Sequence, residues 1–448
     1  MYTVYMESLG CAKNQVDAEV LLTYLSENGA ERTEDLAQAD LVIVNTCGFI
    51  ESARKESIDT FFQLHEAKPD AKFILTGCLS QRYADDLRDS LPEADGIFGN
   101  HDLSKIVPLV EAVMAGKRPV ERPEYPISSC ERDDRKGLLN FPGSAYLKIS
   151  EGCDHRCRYC AIPLIRGGLR SRPQEAILAE ARRLVSQGIK EINLIAQDLA
   201  AYGTDAPDKN SKFCDLLQRI IDIDGDFVVR MLYIHPDAFP PQLPALVAAN
   251  PKILPYFDIP FQHAAVPVLR GMGRTGDSKK YLDLIASIRS AVPDAVIRST
   301  IMLGFPGEDR QAFDVLMRFI EEARLDWMGS FLYSREEDTP AWKMRGEAEH
   351  KKAVRQAAEW QKELQTVQEK ITAQRLRRFV GNTYPVLIEE LVEGEELAIG
   401  RMYAQAPEVD GLTVVMGRGL VPGQRVRCGV SRVNGIDLQA IPCREEAR

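Results

Sequence analysis

Through its first 115 residues the chain alternates short apolar runs with longer amphipathic stretches, and this rhythm restricts the fold more than any other feature of its 448 residues. The apolar runs are Tyr2–Met6, Leu41–Asn45, Phe73–Thr76 and Gly96–Gly99, separated by the amphipathic stretches Gln15–Asn28, Ile50–His65 and Ser80–Leu91. Such alternation predicts βα units, hence a parallel sheet with helices on its faces. Ligands of these sheets gather beyond the carboxyl ends of the strands. There the first three runs each lead into a cysteine, in Ser8-Leu9-Gly10-Cys11, Val44-Asn45-Thr46-Cys47 and Leu75-Thr76-Gly77-Cys78. A lone cysteine at a strand end is usually a small buried hydrophobe. Three of them, delivered by three units to one edge of one sheet, predict a metal site on Cys11, Cys47 and Cys78 with an open corner.

A Pro- and charge-rich stretch from Gly116 to Lys136 reads as a linker, with Cys130 in it as an incidental thiol. The βα rhythm returns from Gly143 to about Lys343, with strand candidates at Ala145–Ile149, Glu191–Ile195, Val228–Tyr233, Tyr256–Pro260, Val296–Leu303 and Trp327–Tyr333. Six repeats are fewer than the eight that close a barrel. Directly after the first of these strands comes Glu151-Gly152-Cys153-Asp154-His155-Arg156-Cys157-Arg158-Tyr159-Cys160. Cys153, Cys157 and Cys160 are spaced to ligate an iron–sulfur cube, for which thiolates are the usual ligands. Three thiolates leave one of four irons open. A structural zinc site closes four ligands around its metal, and here it would need His155 or a distant residue as the fourth. Residues Ala348–Phe379, free of Pro and Gly, read as one long helix. Short runs at Thr383–Ile388, Ala398–Met402, Leu412–Val415, Gln424–Gly429 and Gly435–Ile441 then predict a small antiparallel β-barrel. The domains expected are 1–116, a linker at 117–138, 139–375 and 376–444.

With 45% hydrophobic and 27% charged residues the chain can bury a large core. No apolar run approaches the roughly 18 residues of a membrane span, and the start lacks the basic and apolar regions of a signal peptide. The grouping of the ten cysteines argues for metal in a reducing compartment, read as the cytoplasm, rather than for disulfides. A net charge of −10 argues against nucleic acid binding over the whole surface.

The Cys-x-x-x-Cys-x-x-Cys loop, with an aromatic before its last cysteine, resembles those of the radical S-adenosylmethionine (SAM) enzymes, and the three-part layout of the whole chain is similar to that of the methylthiotransferases. The resemblance implies an α/β architecture: an N-terminal parallel-sheet domain binding an auxiliary cluster, a central partial (β/α)6 radical-SAM barrel, and a C-terminal β-barrel of the TRAM type. It implies two 4Fe-4S clusters, one on Cys153, Cys157 and Cys160 that also takes SAM at its open iron, the other on Cys11, Cys47 and Cys78. Tyr159, Gln197 and Asp198 become candidates for contact with SAM, against ordinary packing and loop capping. Arg166 and Arg170 become candidates for SAM's carboxylate or for substrate, against a solvated face. His235 and His263 close strands as structural or substrate-facing groups.

Ser8-Leu9-Gly10-Cys11-Ala12-Lys13-Asn14-Gln15-Val16-Asp17 and Cys160-Ala161-Ile162-Pro163-Leu164-Ile165-Arg166-Gly167 resemble the branch that modifies ribosomal protein uS12, free or in the small subunit, rather than the branch that modifies transfer RNA carrying isopentenyl adenine. The implied reaction is methylthiolation of an aspartate β-carbon. Its C–H is neither acidic nor electrophilic, so replacing the hydrogen requires a radical from a cofactor. By the same resemblance one SAM yields a 5′-deoxyadenosyl radical and a second methylates sulfur held at the auxiliary cluster. External or cluster-bound sulfide and a reducing electron carrier of flavodoxin or ferredoxin type are the further requirements. From Arg377 to Arg448 nine Lys and Arg face ten Asp and Glu, a net of −1. A module gripping RNA phosphates should be basic, whereas the acidic run Glu389–Glu396 either suits a basic protein or is a solvated loop. This argues against RNA as the direct substrate. The non-enzymatic alternative is a metal-stabilised module that binds RNA or protein.

Overall fold

The computed structural model describes residues 2–125, 132 and 134–443, so Cys130 lies outside the described residues. The chain divides into two compact units: the first takes in Met1–Leu139, Lys148–His155 and Cys160–Glu180, the second Asn140–Leu147, Arg156–Tyr159 and Ala181–Arg448.

In the first unit the strands are β1 (Tyr2–Ser8), β2 (Ala30–Thr33), β3 (Leu41–Thr46), β4 (Lys72–Gly77), β5 (Gly96–Phe98) and β6 (Val120–Glu121), in one parallel sheet of order β2-β1-β3-β4-β5-β6. The four strands expected from apolar runs form its middle, where both faces are covered. The two edge strands were not anticipated. Ala30-Glu31-Arg32-Thr33 is too polar to register as a run, and Val120–Glu121 is only two residues long. The latter lies within the stretch read as a linker. That stretch also carries Arg135, which is buried between the carboxylates of Glu19 and Glu180. The expectation of a plain linker is therefore corrected: an isolated run cannot register two residues of edge pairing or one arginine drawn inward by two distant carboxylates. Helices α1 (Ala12–Glu27), α2 (Glu51–Ala67), α3 (Cys78–Ser90) and α4 (Ile106–Met114) cover the sheet, and apolar clusters fill both interfaces.

Strand β7 (Ser144–Lys148) runs into β8 (Ser150–Glu151), which pairs antiparallel with β9 (Arg170–Ser171). Between these two lie the cysteine loop and α5 (Ile162–Arg166). After α6 (Gln174–Ser186) the second unit continues through β10 (Glu191–Ile195), α7 (Phe213–Ile221), β11 (Val228–Met231), α8 (Leu243–Ala249), β12 (Ile253–Asp258), α9 (Val266–Met272), α10 (Ser278–Ala291), β13 (Val296–Leu303), α11 (Arg310–Ala323) and β14 (Trp327–Leu332). The six strands form an open sheet of order β14-β13-β12-β11-β10-β7, with β10 to β14 pairing in parallel. This is the partial barrel expected from six repeats. The long helix, α12 (Glu347–Leu376), packs on β14. No described helix is long and apolar enough to cross a membrane.

Strands β15 (Thr383–Leu391), β16 (Leu397–Arg401), β17 (Thr413–Met416), β18 (Arg425–Asn434) and β19 (Asp437–Pro442) close a barrel in the order β15-β16-β17-β19-β18. It is not wholly antiparallel as expected, because β17 and β19 pair in parallel. Alternating directions cannot close a ring of five strands, so one neighbouring pair must run the same way. The β16–β17 loop packs against the second sheet: the indole of Trp327 donates to the Ala404 carbonyl at 2.6 Å, and Arg230 donates to the Tyr403 carbonyl at 2.7 Å.

Candidate functional site

Cys11 follows β1, Cys47 follows β3, and Cys78 opens α3 directly after β4, so three adjacent strands present three thiols at the carboxyl edge of the first sheet. The backbones meet closely. A Cβ on Gly10 would stand 2.9 Å from the Cys47 Cβ, and one on Gly48 would stand 2.7 Å from the Cys78 carbonyl carbon. Asn14, in the first turn of α1, ties the loops together. Its amide donates to the Leu9 carbonyl at 3.0 Å and the Thr46 carbonyl at 2.9 Å, and its Oδ1 accepts from the Cys78 thiol at 3.3 Å. The Ser57 hydroxyl accepts from the Cys47 amide at 3.0 Å. Burial pushes the Cys78 thiol up to about 12 against the pull of Arg166, and burial also raises Cys47. Cys11 is exposed as a residue, yet its sulfur is enclosed by neighbours. That enclosure opposes ionisation but is outweighed by Lys13, Arg166 and the amides of Asn14 and Lys13, and the thiol is lowered.

Among the described residues no group of three His, Cys, Asp or Glu stands as the ligand set of a single ion. Three thiols are nonetheless the donor chemistry of an iron–sulfur group. In an iron–sulfur cube each thiolate binds a different iron, which spreads the three ligands apart, and the neighbouring cations and amides suit negatively charged sulfur.

Arg166, at the end of α5, is buried. Its guanidinium donates to Asn14 Oδ1 at 2.6 Å, Asp17 Oδ2 at 2.8 Å and Glu151 Oε2 at 2.8 Å. Lys148 Nζ bridges the same two carboxylates, at 2.7 Å from Asp17 and 2.8 Å from Glu151. Glu151 is desolvated, but Arg166 and Lys148 hold its carboxyl well below the usual range. Of the expectations for Arg166, the solvated face is thus corrected: it stands in a buried ion-pair net beside the N-terminal thiols. Buried charges survive only when paired this completely. Arg170 is held too: it donates to the carbonyls of Arg166 at 3.2 Å and Gly168 at 3.0 Å, and stacks over Tyr125 at 3.8 Å.

Of the second cysteine loop, Cys153 and Cys160 belong to the first unit and Cys157 to the second. In the first, the Cys153 amide donates to the Gly167 carbonyl at 3.1 Å and the Asp154 carboxylate accepts from the Leu169 amide at 3.0 Å. In the second, Cys157 Sγ stands 4.0 Å from His235 Nε2, and the buried Arg274 lies against Cys157 and Tyr159 while donating to the Pro260 carbonyl at 2.6 Å. Tyr159 is buried edge-on to Phe305, with ring centroids 6.4 Å apart. Gln197 is half-buried at the end of the second strand of this sheet. Asp198 accepts from the amides of Ala200 at 3.0 Å and His235 at 2.9 Å, which caps the turn that follows and orients the backbone of His235. His263 is structural: its Nδ1 accepts from the Ala265 amide at 3.0 Å and its Nε2 lies 3.2 Å from Glu308. Sequence reasoning gave no role to Asn14, Asp17, Lys148 or Arg274. The first two sat inside a quoted motif, and a polar pair one helical turn apart was the available signal.

Three families match the chain: the uncharacterized protein family UPF0004 over residues 3–99, the radical SAM superfamily over 147–320 and the TRAM domain over 380–442. Among similar proteins is the ribosomal protein uS12 methylthiotransferase RimO of Treponema denticola, 42% identical over 97% of this chain and all of that protein. The protein of the same name from Pelobacter propionicus is 40% identical over 97% of this chain and 96% of its own. Among solved structures, the radical S-adenosylmethionine methyltransferase TsrM of Kitasatospora setae matches with a TM-score of 0.56 at 16% identity, covering 76% of this chain and 75% of that one. At that identity the likeness is one of fold.

Proposed function

The chain belongs to the radical-SAM methylthiotransferases of ribosomal protein uS12, and from this premise we propose that it places a methylthio group on the β-carbon of a uS12 aspartate. The observation that carries the reading is the presence of two separate three-thiol sets, where a simple radical enzyme needs one. When bound, a four-iron cluster on each set, together with SAM, supplies the electron, the radical, the sulfur and the methyl group that substitution at an unactivated C–H requires. Cys153, Cys157 and Cys160 hold the cluster that takes SAM, and Cys11, Cys47 and Cys78 hold the auxiliary one.

Around them the chain's own side chains bind and orient. Asn14 keeps the three N-terminal loops in register. Arg274 sets a cation beside Cys157 and Tyr159. Asp198 fixes the strand end that carries His235. Gln197, at the neighbouring position, is the polar group we retain for contact with SAM. Sulfide, free or already on the auxiliary cluster, and a reducing carrier of flavodoxin or ferredoxin type complete the proposed set.

The barrel's charges support a protein substrate over transfer RNA. Among the described residues, four of the seven arginines after Leu376 are committed to carboxylates: Arg378 to Asp326, Arg401 to Glu191 and Glu389, Arg418 to Glu396 and Arg425 to Asp226. Few cations remain to release counterions from phosphates. The test is mass spectrometry of uS12, free and in small subunits, and of transfer RNA carrying isopentenyl adenine, after incubation with enzyme, SAM, reductant and sulfide. A methylthio group on uS12 alone is expected. Modified adenine with unmodified uS12 would overturn the assignment.

A further inference from the structure

Arg166 is tied to the N-terminal thiols through Asn14 and to the residues preceding Cys153 through Glu151. It is 3% exposed and shares Asn14 Oδ1 with the Cys78 thiol, at 2.6 Å and 3.3 Å respectively. Both amide hydrogens of Asn14 go to carbonyls, so its oxygen can only face this pair. The guanidinium lies within electrostatic reach of both Cys78 and Cys11. On its other side it is clamped by Asp17 and by Glu151, the residue two positions before Cys153. The clamp is itself neutralised, because Lys148 pairs with both carboxylates. Ion pairs this buried contribute little net stability compared with an apolar filling of the same space. Their value lies in fixing where a charge stands.

We infer that Arg166 is a positioning residue that holds a fixed positive charge against the sulfur ligands Cys78 and Cys11 and thereby raises the reduction potential of the cluster they carry. The inference rests on the proposed N-terminal cluster. Adding one electron to an iron–sulfur cluster adds one negative charge, and a cation or hydrogen-bond donor held at the sulfurs favours that reduced form. Glu151 and Asp17 moderate the effect by drawing the guanidinium's charge toward themselves, which places one carboxylate of the radical-SAM loop in control of the auxiliary site.

The experiment uses the full chain with Cys153, Cys157 and Cys160 all changed to Ala, so that the iron measured belongs to the N-terminal set. Iron content and the midpoint potential, followed by electron paramagnetic resonance during redox titration, are compared for Arg166, Arg166→Met, Arg166→Lys and Glu151→Gln. Arg166→Met is expected to keep iron and titrate at a more negative potential, Arg166→Lys to recover part of the shift, and Glu151→Gln to move it in the positive direction. Should Arg166→Met fail to fold, Glu151→Gln decides by the sign of its shift. Unchanged potentials with iron retained would overturn the inference. Absence of iron with Arg166 intact would instead overturn the N-terminal cluster, and the inference with it.

Discussion

The Tyr256 hydroxyl donates to Asp410 Oδ2 at 2.6 Å, joining β12 of the open sheet to the loop between β16 and β17 of the closing barrel. Asp410 also accepts from the Ala406 amide at 2.8 Å, and Arg298 stands 3.4 Å away. Burial nonetheless pushes its carboxyl up to about 6, because Arg298 lies closer to Asp258, at 3.0 Å, and divides its charge.

That shift gives stability a pH dependence with a definite sign. A carboxyl raised in the folded state binds its proton more tightly there than in the unfolded chain. Its contribution is complete below pH 4 and is lost as pH rises through 6, by about 3 kcal/mol at most. Denaturant melts of wild type and Asp410→Asn between pH 4 and 7.5 check this. The wild type should lose stability relative to the variant as pH rises, and parallel curves would refute it.

Glu191 begins β10, with its carboxylate 3.0 Å from Arg230 and 2.9 Å from Arg401. Despite burial, these two arginines lower it to about 2. Glu191→Gln leaves Arg230 buried without its carboxylate and should cost about 3–5 kcal/mol, visible as a lower denaturant midpoint. A loss below about 1 kcal/mol would mean that the pair is not desolvated as the structure has it.

Changing Cys153, Cys157 and Cys160 to Ala should abolish cleavage of SAM to 5′-deoxyadenosine while leaving iron on the N-terminal set. Changing Cys11, Cys47 and Cys78 should keep that cleavage and stop methylthio transfer. Iron analysis and product chromatography after anaerobic reconstitution separate the two. Equal loss of both activities in the second variant would make the N-terminal site structural or an electron relay, and stoichiometric zinc without iron in the wild type would end the enzymatic reading.

Asn14→Ala removes two donors to loop carbonyls and one acceptor, and should cost about 1–3 kcal/mol together with N-terminal iron. Asn14→Asp, although the same size, should be worse, because a carboxylate would then face the carbonyls of Leu9 and Thr46. Iron per chain and thermal melts distinguish the two variants, and an aspartate variant as good as wild type would remove Asn14 from its role.

Much of the fold was legible because strand and helix periodicity is local. Runs such as Leu41–Asn45 and Phe73–Thr76 are apolar because the strands they become are buried on both faces. Ala30–Thr33 escaped for the converse reason: an edge strand half open to water needs no apolar run. The parallel seam between β17 and β19 escaped because direction within a ring belongs to the whole ring.

The sequence alone determined the interior strands of the first sheet, that three of them lead into thiols, and that a second trio sits within eight residues. Only the tertiary structure decided what the charges near those thiols face. Arg166 reads as a cation for SAM, substrate or solvent until the fold brings it to Asn14, 152 positions away. Glu389 reads as the start of an acidic surface run until Arg401 draws it inside. A buried charge is tolerated only where a partner meets it, and that partner is chosen by the folded chain, which no local pattern of residues records.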